Sequence, residues 1–149
     1  MSTIINSINM VIAMQVYLMQ LHFPHFQMVR VKEDEAYFEG WVAGEQDSID
    51  YQLRLYFNPL LPEVCPALYV WAPLIVPRMP SGSINEVGAT HAYHTLSNGP
   101  EGRVQICHTA SSDWDASVTY VLPILKGNLW CIAHSAHMQD GSSISGYFM

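Results

Sequence analysis

The sequence GRVQICH, at residues 102–108, places a cysteine at the end of a short β-prone run. Residues 104–106 favour a strand, and the small or polar residues at 109–113 cannot continue it. Cys107 is therefore predicted at a strand-to-loop junction, where the backbone is held while the side chain reaches solvent. Such a position suits a nucleophilic thiol. The alternative is a buried structural cysteine, because free cysteines are among the most buried residues.

Three histidines lie close to this cysteine in the sequence: His108 directly follows it, and His91 and His94 precede it. A free cysteine has a pKa near ~8.5, so only a few per cent is thiolate at neutral pH. A cationic imidazole close to Cys107 would raise that fraction. A simpler interpretation is that His108 is an exposed neighbour without a role, and that the other two satisfy local backbone groups in a loop.

The same residues suggest a second hypothesis, a zinc site formed by His91, His94, Cys107 and His108, because zinc prefers imidazole and thiolate ligands. Adjacent ligands at 107–108 would strain a tetrahedral site, and no CxxC or HxxxH pair anchors the set. We therefore expect no metal and no other cofactor. A Cys-His hydrolase is disfavoured as well, because thiol proteases usually place their nucleophile at a helix N-terminus.

The composition indicates one well-packed domain with an acidic, sparsely charged surface. Of the 149 residues, 50% are hydrophobic and 13% are charged, and the formal net charge is -7. The basic residues are scattered, so they cannot hold a nucleic-acid backbone. Three cysteines without a CxxC pair favour a reducing compartment. With no signal-peptide pattern and no run of ~20 apolar residues, we expect a cytoplasmic protein that binds neither nucleic acid nor membrane.

The first part of the chain predicts a helix followed by an antiparallel meander. Apolar residues recur at three- and four-residue steps from Ile5 to Met19, and Pro24 ends this pattern. Gln15 falls between the apolar positions, so we expect it in solvent. A polar turn at 44–48 precedes the last of three predicted strands. These strands span 26–31, 36–43 and 49–57.

The rest of the chain predicts a fourth strand at 67–71, a flexible insertion at 81–88 and a long helix after Trp114. Asp113 or Asp115 is expected to cap that helix, which continues to about Met138. Pro123 is expected to kink or split its first turns. His134 and His137 are expected at the surface or partly buried. Together these elements predict an α+β fold in a single domain, with a four-stranded antiparallel meander sheet between an N-terminal and a C-terminal helix.

The order of these motifs resembles the ubiquitin-conjugating (E2) family. The UBC-like fold of that family has an N-terminal helix, a four-stranded meander, an active-site loop with a cysteine, and a further helix. The stretches that carry the resemblance are FEGWV at 38–42, YQLRLYF at 51–57, LPEVCPALYV at 61–70, GRVQIC at 102–107 and DWDASVTYVL at 113–122. As an ordered set they cover nearly all of the chain.

The chain departs from the family where a histidine-proline-asparagine motif is expected. The corresponding region, HAYHTLSN at 91–98, offers His94 for the histidine and Asn98 for the asparagine, with a spacing to Cys107 that is longer by a few residues. Compact, divergent chains of this kind resemble bacterial E2-like proteins that accompany a ubiquitin-like modifier, an E1-like activator and a peptidase. The resemblance implies a role in antiviral defence for such systems.

The resemblance further implies that Cys107 accepts a ubiquitin-like modifier from an E1-like enzyme as a thioester and transfers it to an amine of a target protein. His91, His94 or Asn98 would stabilise the oxyanion. Asp113 would orient the amine or take its proton, and the first helix would dock the E1-like enzyme. A turn role is the alternative for Asn98. For the whole protein, the alternative is a non-catalytic E2-like adaptor that binds a ubiquitin-like protein.

Overall fold

The computed structural model describes residues 2–43, 49–115 and 117–148, with the backbone alone for residues 2–9. The predicted turn at 44–48 lies outside the described residues. Within these ranges the helices are α1 (Ser2–His22) and α2 (Val121–Asp140). The strands are β1 (Gln27–Lys32), β2 (Glu35–Ala43), β3 (Asp50–Phe57), β4 (Ala67–Ala72), β5 (Thr95–Leu96) and β6 (Gln105–Ile106). Neither helix combines the length and apolar character that a bilayer span requires within the described residues.

The strands form a single antiparallel sheet in the order β1-β2-β3-β4-β6-β5. The α+β class and the meander β1 to β4 confirm the sequence prediction. The predicted count of four strands is wrong, because the described part of the sheet has six. β6 pairs with β4 through Leu68 opposite Ile106, and β5 pairs with β6 through Thr95 opposite Ile106. Strands of two residues carry no periodic pattern, so this extension depends on pairing with β4.

One face of the sheet is buried under α2. In β3 every second residue from Tyr51 to Phe57 is buried, and the first part of β2 alternates in the same way. A Cβ at Gly127 of α2 would lie 2.9 Å from Leu53 Cδ1 and 3.0 Å from Leu68 Cδ2. Glycine therefore lets the helix backbone approach the sheet closely.

The opposite face of the sheet carries stacked aromatic rings and arginines. The guanidinium carbon of Arg54 lies 4.2 Å from the ring centre of Tyr37 and 4.0 Å from that of Trp71. Arg103 also stacks on Trp71, at 3.9 Å. Glu39 forms an ion pair with Arg54. These contacts satisfy the arginines within the layer, so both guanidinium groups are largely shielded from solvent.

A buried glutamine joins α1 to the segment before α2. Gln15 is 7% exposed, which corrects the expectation that it lies in solvent. Its amide oxygen accepts the Tyr120 N–H at 2.8 Å, and its amide nitrogen donates to the Val118 carbonyl at 3.3 Å. The stripe prediction is confirmed at Met19, which is fully buried. A polar residue beside the stripe is buried here because backbone groups from a distant segment satisfy it.

The start of α2 also differs from the prediction. The helix begins at Val121, and neither Asp113 nor Asp115 caps it. Asp115 instead accepts the Ser117 N–H at 2.8 Å in a local turn. Pro123 is the third residue of α2, where a backbone N–H would have no intrahelical partner, so the helix runs on without a break.

Two further expectations fail because tertiary contacts cover the residues concerned. His134 and His137 are 0% and 5% exposed, not at the surface. The predicted flexible insertion at 81–88 is anchored by Ile84, which is buried and donates its N–H to the Val76 carbonyl at 2.8 Å. The adjacent Asn85 accepts the Val76 N–H at 2.8 Å. This segment therefore packs against the body of the domain.

Candidate functional site

Cys107 directly follows β6, so the predicted strand-to-loop junction is confirmed. Its backbone N–H donates to the His94 carbonyl at 3.0 Å, and its side chain is half-buried. Ile106, the residue before it, is fully buried between β4 and β5. The thiol is thus carried by a fixed backbone while it remains partly open to solvent.

The thiol of Cys107 lies in an open cleft of ≈ 480 Å³, here called the thiol cleft. A second cysteine, Cys65, lines the same cleft, as does the loop that follows β6. Its lining residues are Cys65, Pro66, Ala67, Leu96, Gln105, Cys107, His108, Thr109, Ala110, Ser111 and Ser112. The walls contain no acidic or basic side chain other than His108, so the cleft suits an uncharged chain segment.

His108 lines the thiol cleft, but its ring is buried and hydrogen-bonded to the backbone. It is 4% exposed, and its Nε2 lies 2.7 Å from the Pro66 carbonyl oxygen. A carbonyl oxygen only accepts, so Nε2 carries the proton and donates. Burial lowers the pKa of this imidazole, which is therefore neutral at pH 7. The sequence suggested a cationic histidine that activates the thiol, whereas the ring of His108 is buried and neutral.

Cys65 is the site residue that sequence analysis missed. Its Sγ lies 3.9 Å from His108 Nε2 and 3.6 Å from the Pro66 carbonyl oxygen. Burial, followed by the charge of nearby Cys107, raises the pKa of the Cys65 thiol. The available signal was a cysteine two residues before a predicted strand. The pairing of β4 with β6 is what brings Cys65 into the same cleft as Cys107, and no local sequence pattern predicts that pairing.

His94 is joined to Cys107 through its backbone. It adopts a left-handed conformation with φ of 57°, which a non-glycine residue adopts only when its surroundings hold it. Its ring stacks on Phe148, with centroids 4.0 Å apart. Burial, then the charges of His91 and Lys126, lower the pKa of this histidine. His94 therefore positions the cysteine through its carbonyl, and its ring is occupied by packing.

The remaining predicted residues lie farther out. His91 is exposed, and its carbonyl accepts the His94 N–H at 3.1 Å in a turn. Asn98 is exposed and donates its side-chain amide to the Asn85 carbonyl at 2.8 Å. Asp113 is exposed in a 3₁₀ turn just after the loop that lines the thiol cleft. None of the three lines that cleft.

Lys126 of α2 supplies a positive charge behind the loop. Its Nζ donates to the carbonyl oxygen of His108 at 2.6 Å. The same charge contributes to the lowered pKa values of His94 and His108. The sequence pattern places Lys126 on a helix, but its contact with a residue 18 positions earlier requires the tertiary structure.

Within the described residues, no three His, Cys, Asp or Glu side chains form a group that could hold a metal ion. The zinc hypothesis for His91, His94, Cys107 and His108 therefore has no geometric support. Comparisons with known proteins found no relative: no family model, no curated protein sequence and no solved structure matches this chain. The similarity to the E2 family stays a prediction.

Proposed function

We propose that this protein is an E2-like carrier that receives a ubiquitin-like modifier on Cys107 and passes it to an amine of a target protein. The observation that carries the proposal is the half-buried thiol at the end of β6, held through its own N–H and open to an uncharged cleft. A modifier that ends in a small, extended tail fits such a cleft. The E2-like motif order and the bacterial antiviral systems that it suggests are the context for the proposal.

The reaction depends more on the positioning of the reacting groups than on acid–base catalysis. The thiolate of Cys107 attacks the carbonyl carbon of a modifier thioester on the activating enzyme, a new C–S bond forms, and the activator's thiolate leaves. In the second step an amine attacks and loses a proton to solvent, an amide forms, the C–S bond to Cys107 breaks, and its thiolate leaves. Exchange between thioesters is nearly thermoneutral, so a fixed backbone and a correct approach are the main requirements.

The thiol cleft also offers donors for the oxyanion. Ser111 and Ser112 line it, and serine hydroxyls donate hydrogen bonds. We assign the oxyanion contact to one of them, in place of Asn98, whose amide is engaged with Asn85. One such donor is worth roughly 3 kcal/mol in comparable acyl-transfer sites.

An exposed apolar face of α1 is the proposed contact for the E1-like activator. Met10, Met14, Tyr17 and Leu21 recur on one side of the helix, and each is at least 58% exposed. The helix contains no acidic residue, lysine or arginine. Docking through this face would therefore rely on apolar burial, not on charge.

The test is adduct formation in a mixture of the protein, the activator, the modifier and ATP. The expected product is a conjugate that a thiol reductant cleaves. Cys107→Ser should give an oxyester that resists the reductant but not hydroxide, and Cys131→Ala, which changes a buried residue outside the cleft, should behave like the parent protein. A reductant-sensitive conjugate on Cys107→Ala would refute the proposal. Modifier binding without any conjugate would favour the adaptor instead.

A further inference from the structure

We propose that Cys65 and Cys107 form a redox-active dithiol that hydrogen peroxide closes to an intramolecular disulfide. Both thiols line the thiol cleft, and both cysteines are reduced in the structure. The pair is distinct from the acyl-transfer chemistry proposed above, since Cys65 has no part in it. The disulfide itself does not depend on the proposed function, whereas its regulatory effect does.

The strand pairing places the two cysteines on one face. Leu68 lies opposite Ile106, and Tyr69 lies opposite Gln105, so the next pair in this antiparallel register is Ala67 and Cys107. Cross-strand partners and residues two positions apart share a face of a sheet. Continued beyond the ladder, this register would make Cys65 the diagonal neighbour of Cys107, and the charge of Cys107 acts on the Cys65 thiol, as expected for two close groups. Both cysteines are half-buried, whereas the residues next to them in sequence, Pro66, Ile106 and His108, are buried. This alternation agrees with the arrangement.

Closure needs a local movement of the segment that carries Cys65. Diagonal neighbours have Cβ atoms roughly 7–8 Å apart or somewhat less, and a disulfide needs about 4 Å. Both cysteines lie beyond the last paired residues of β4 and β6. Cys65 belongs to the turn that leads into β4, where strand hydrogen bonds do not hold it. This segment can move towards Cys107 without breaking the ladder, although the hydrogen bond from His108 to the Pro66 carbonyl must shift with it.

The third cysteine is excluded by its position. Cys131 lies in α2, is 0% exposed and does not line the cleft. Burial raises the pKa of its thiol far above the usual range, so it neither reacts with peroxide nor competes for the pair. Oxidation should therefore link one specific pair of cysteines.

The oxidation balances as follows. The thiolate of Cys107 attacks one peroxide oxygen, the O–O bond breaks, and Cys107 becomes a sulfenic acid while hydroxide leaves and takes a proton. Cys65 then attacks the sulfenic sulfur, the S–S bond forms, and water leaves with the proton of the Cys65 thiol. The two thiols lose a pair of electrons, and the peroxide gains it. We assign Cys65 the resolving role, because burial raises the pKa of its thiol and so slows its own reaction with peroxide.

The direct test uses the whole reduced protein and hydrogen peroxide. Trypsin separates the cysteines, since the peptides 55–78, 104–126 and 127–149 each contain one. After catalase quenching and alkylation of the remaining thiols, mass spectrometry without reduction should show peptide 55–78 linked to 104–126. The link should disappear with dithiothreitol, and Cys131 should be alkylated. Recovery of Cys107 as sulfinic acid or as an alkylated thiol, with no linked peptide, would overturn the proposal.

Two variants separate this inference from the proposed function. Cys65→Ser should lose the link and overoxidise at Cys107, whereas Cys131→Ser should keep the link. Where conjugation is observed, peroxide treatment of the parent protein, quenched with catalase before the activator is added, should abolish it. Reduction of that protein with dithiothreitol, followed by removal of the reductant, should restore it. A disulfide without any conjugation refutes the carrier function alone. Conjugation without a disulfide refutes the dithiol alone. The parent-protein peptide map needs no variant, so misfolding of a variant leaves the test intact.

Discussion

Lys126 donates a hydrogen bond to the carbonyl oxygen of His108 at 2.6 Å, which ties α2 to the residue after Cys107. The loop that lines the thiol cleft begins at this anchored point. A helix in the body of the domain thus fixes the backbone on one side of the cysteine, and the carbonyl of His94 fixes it on the other.

Replacing Lys126 by methionine should loosen this loop, because the apolar stem is kept while the donor is lost. Hydrogen bonds from charged groups contribute about 1.5–3 kcal/mol, and the side chain is half-buried, so we expect a loss of about 1–2 kcal/mol in urea unfolding. Amide hydrogen exchange in 108–112 should become faster. Lys126→Arg keeps a donor and is the matched control. Exchange rates in Lys126→Met that equal those of the parent protein would contradict the anchoring role.

Stability should fall as pH decreases below neutrality because of His134. Its Nε2 lies 2.8 Å from the Pro77 carbonyl oxygen, and its Nδ1 contacts the Tyr51 hydroxyl. Burial, only partly offset by the Pro77 hydrogen bond, lowers the pKa of this imidazole from 6.5 to about 4. As the pH falls, His134 is therefore protonated near pH 6.5 in the unfolded chain but only near pH 4 in the folded chain. Stability from this group is complete above pH 6.5 and is lost progressively between these values.

We expect the free energy of unfolding to be about 1.4 kcal/mol lower at pH 5.5 than at pH 7.5, since one pH unit corresponds to 1.36 kcal/mol for a single proton. Urea unfolding at pH 7.5 and pH 5.5 measures it. His134→Gln removes the titration but retains an amide that can donate and accept, so its difference between the two pH values should be smaller by that amount. An equal difference in both proteins would show that His134 does not carry the effect.

Arg54 should not be replaceable by lysine without cost. Its planar group stacks between Tyr37 and Trp71 and pairs with Glu39, whereas an ammonium cannot stack in this way. We expect Arg54→Lys to lower the free energy of unfolding by about 1 kcal/mol. Arg30→Lys, at an exposed position on β1, is the control. Equal stability of Arg54→Lys and the parent protein would mean that the stacked geometry contributes nothing.

Gly40 should not tolerate a methyl group. A Cβ there would lie 2.6 Å from Cδ1 of Phe26, a ring that is 3% exposed. The buried ring would have to move, so we expect Gly40→Ala to cost about 1–3 kcal/mol. Gly146→Ala is the matched control, since its Cβ would meet no atom closer than 4.0 Å. A Gly40→Ala protein as stable as Gly146→Ala in urea would show that Phe26 repacks freely.

Much of the sheet was predictable because its signal is local. The strand predicted at 49–57 is observed at Asp50–Phe57, and the one predicted at 67–71 at Ala67–Ala72. Alternation along a strand records which side faces the core, so β2 to β4 follow from the residues to within one position at each end. The strand predicted at 26–31 is observed at Gln27–Lys32, but all of its residues are exposed. The two-residue strands β5 and β6 have no such pattern, and their pairing emerges only from contacts.

The position of Cys107 at the end of a strand was predictable, whereas the surroundings of its side chain were not. His108 is adjacent in sequence, yet its ring lies in the interior against Pro66. Asn98 is engaged with Asn85 instead of the thiol cleft. A histidine next to the cysteine in sequence can be held by a distant backbone carbonyl, so adjacency in sequence does not decide which groups assist a thiol.

The amino-acid sequence by itself determined the α+β class, the first four strands and a cysteine at the end of a strand, because each follows from periodicity and turn chemistry within a short window. Only the tertiary structure decided that Cys65 shares a cleft with Cys107, that Lys126 holds the loop, and that His134 is buried. These outcomes depend on the register between β4 and β6 and on how α2 packs on the sheet. Register and packing join residues far apart in the chain, and no local pattern encodes such pairs.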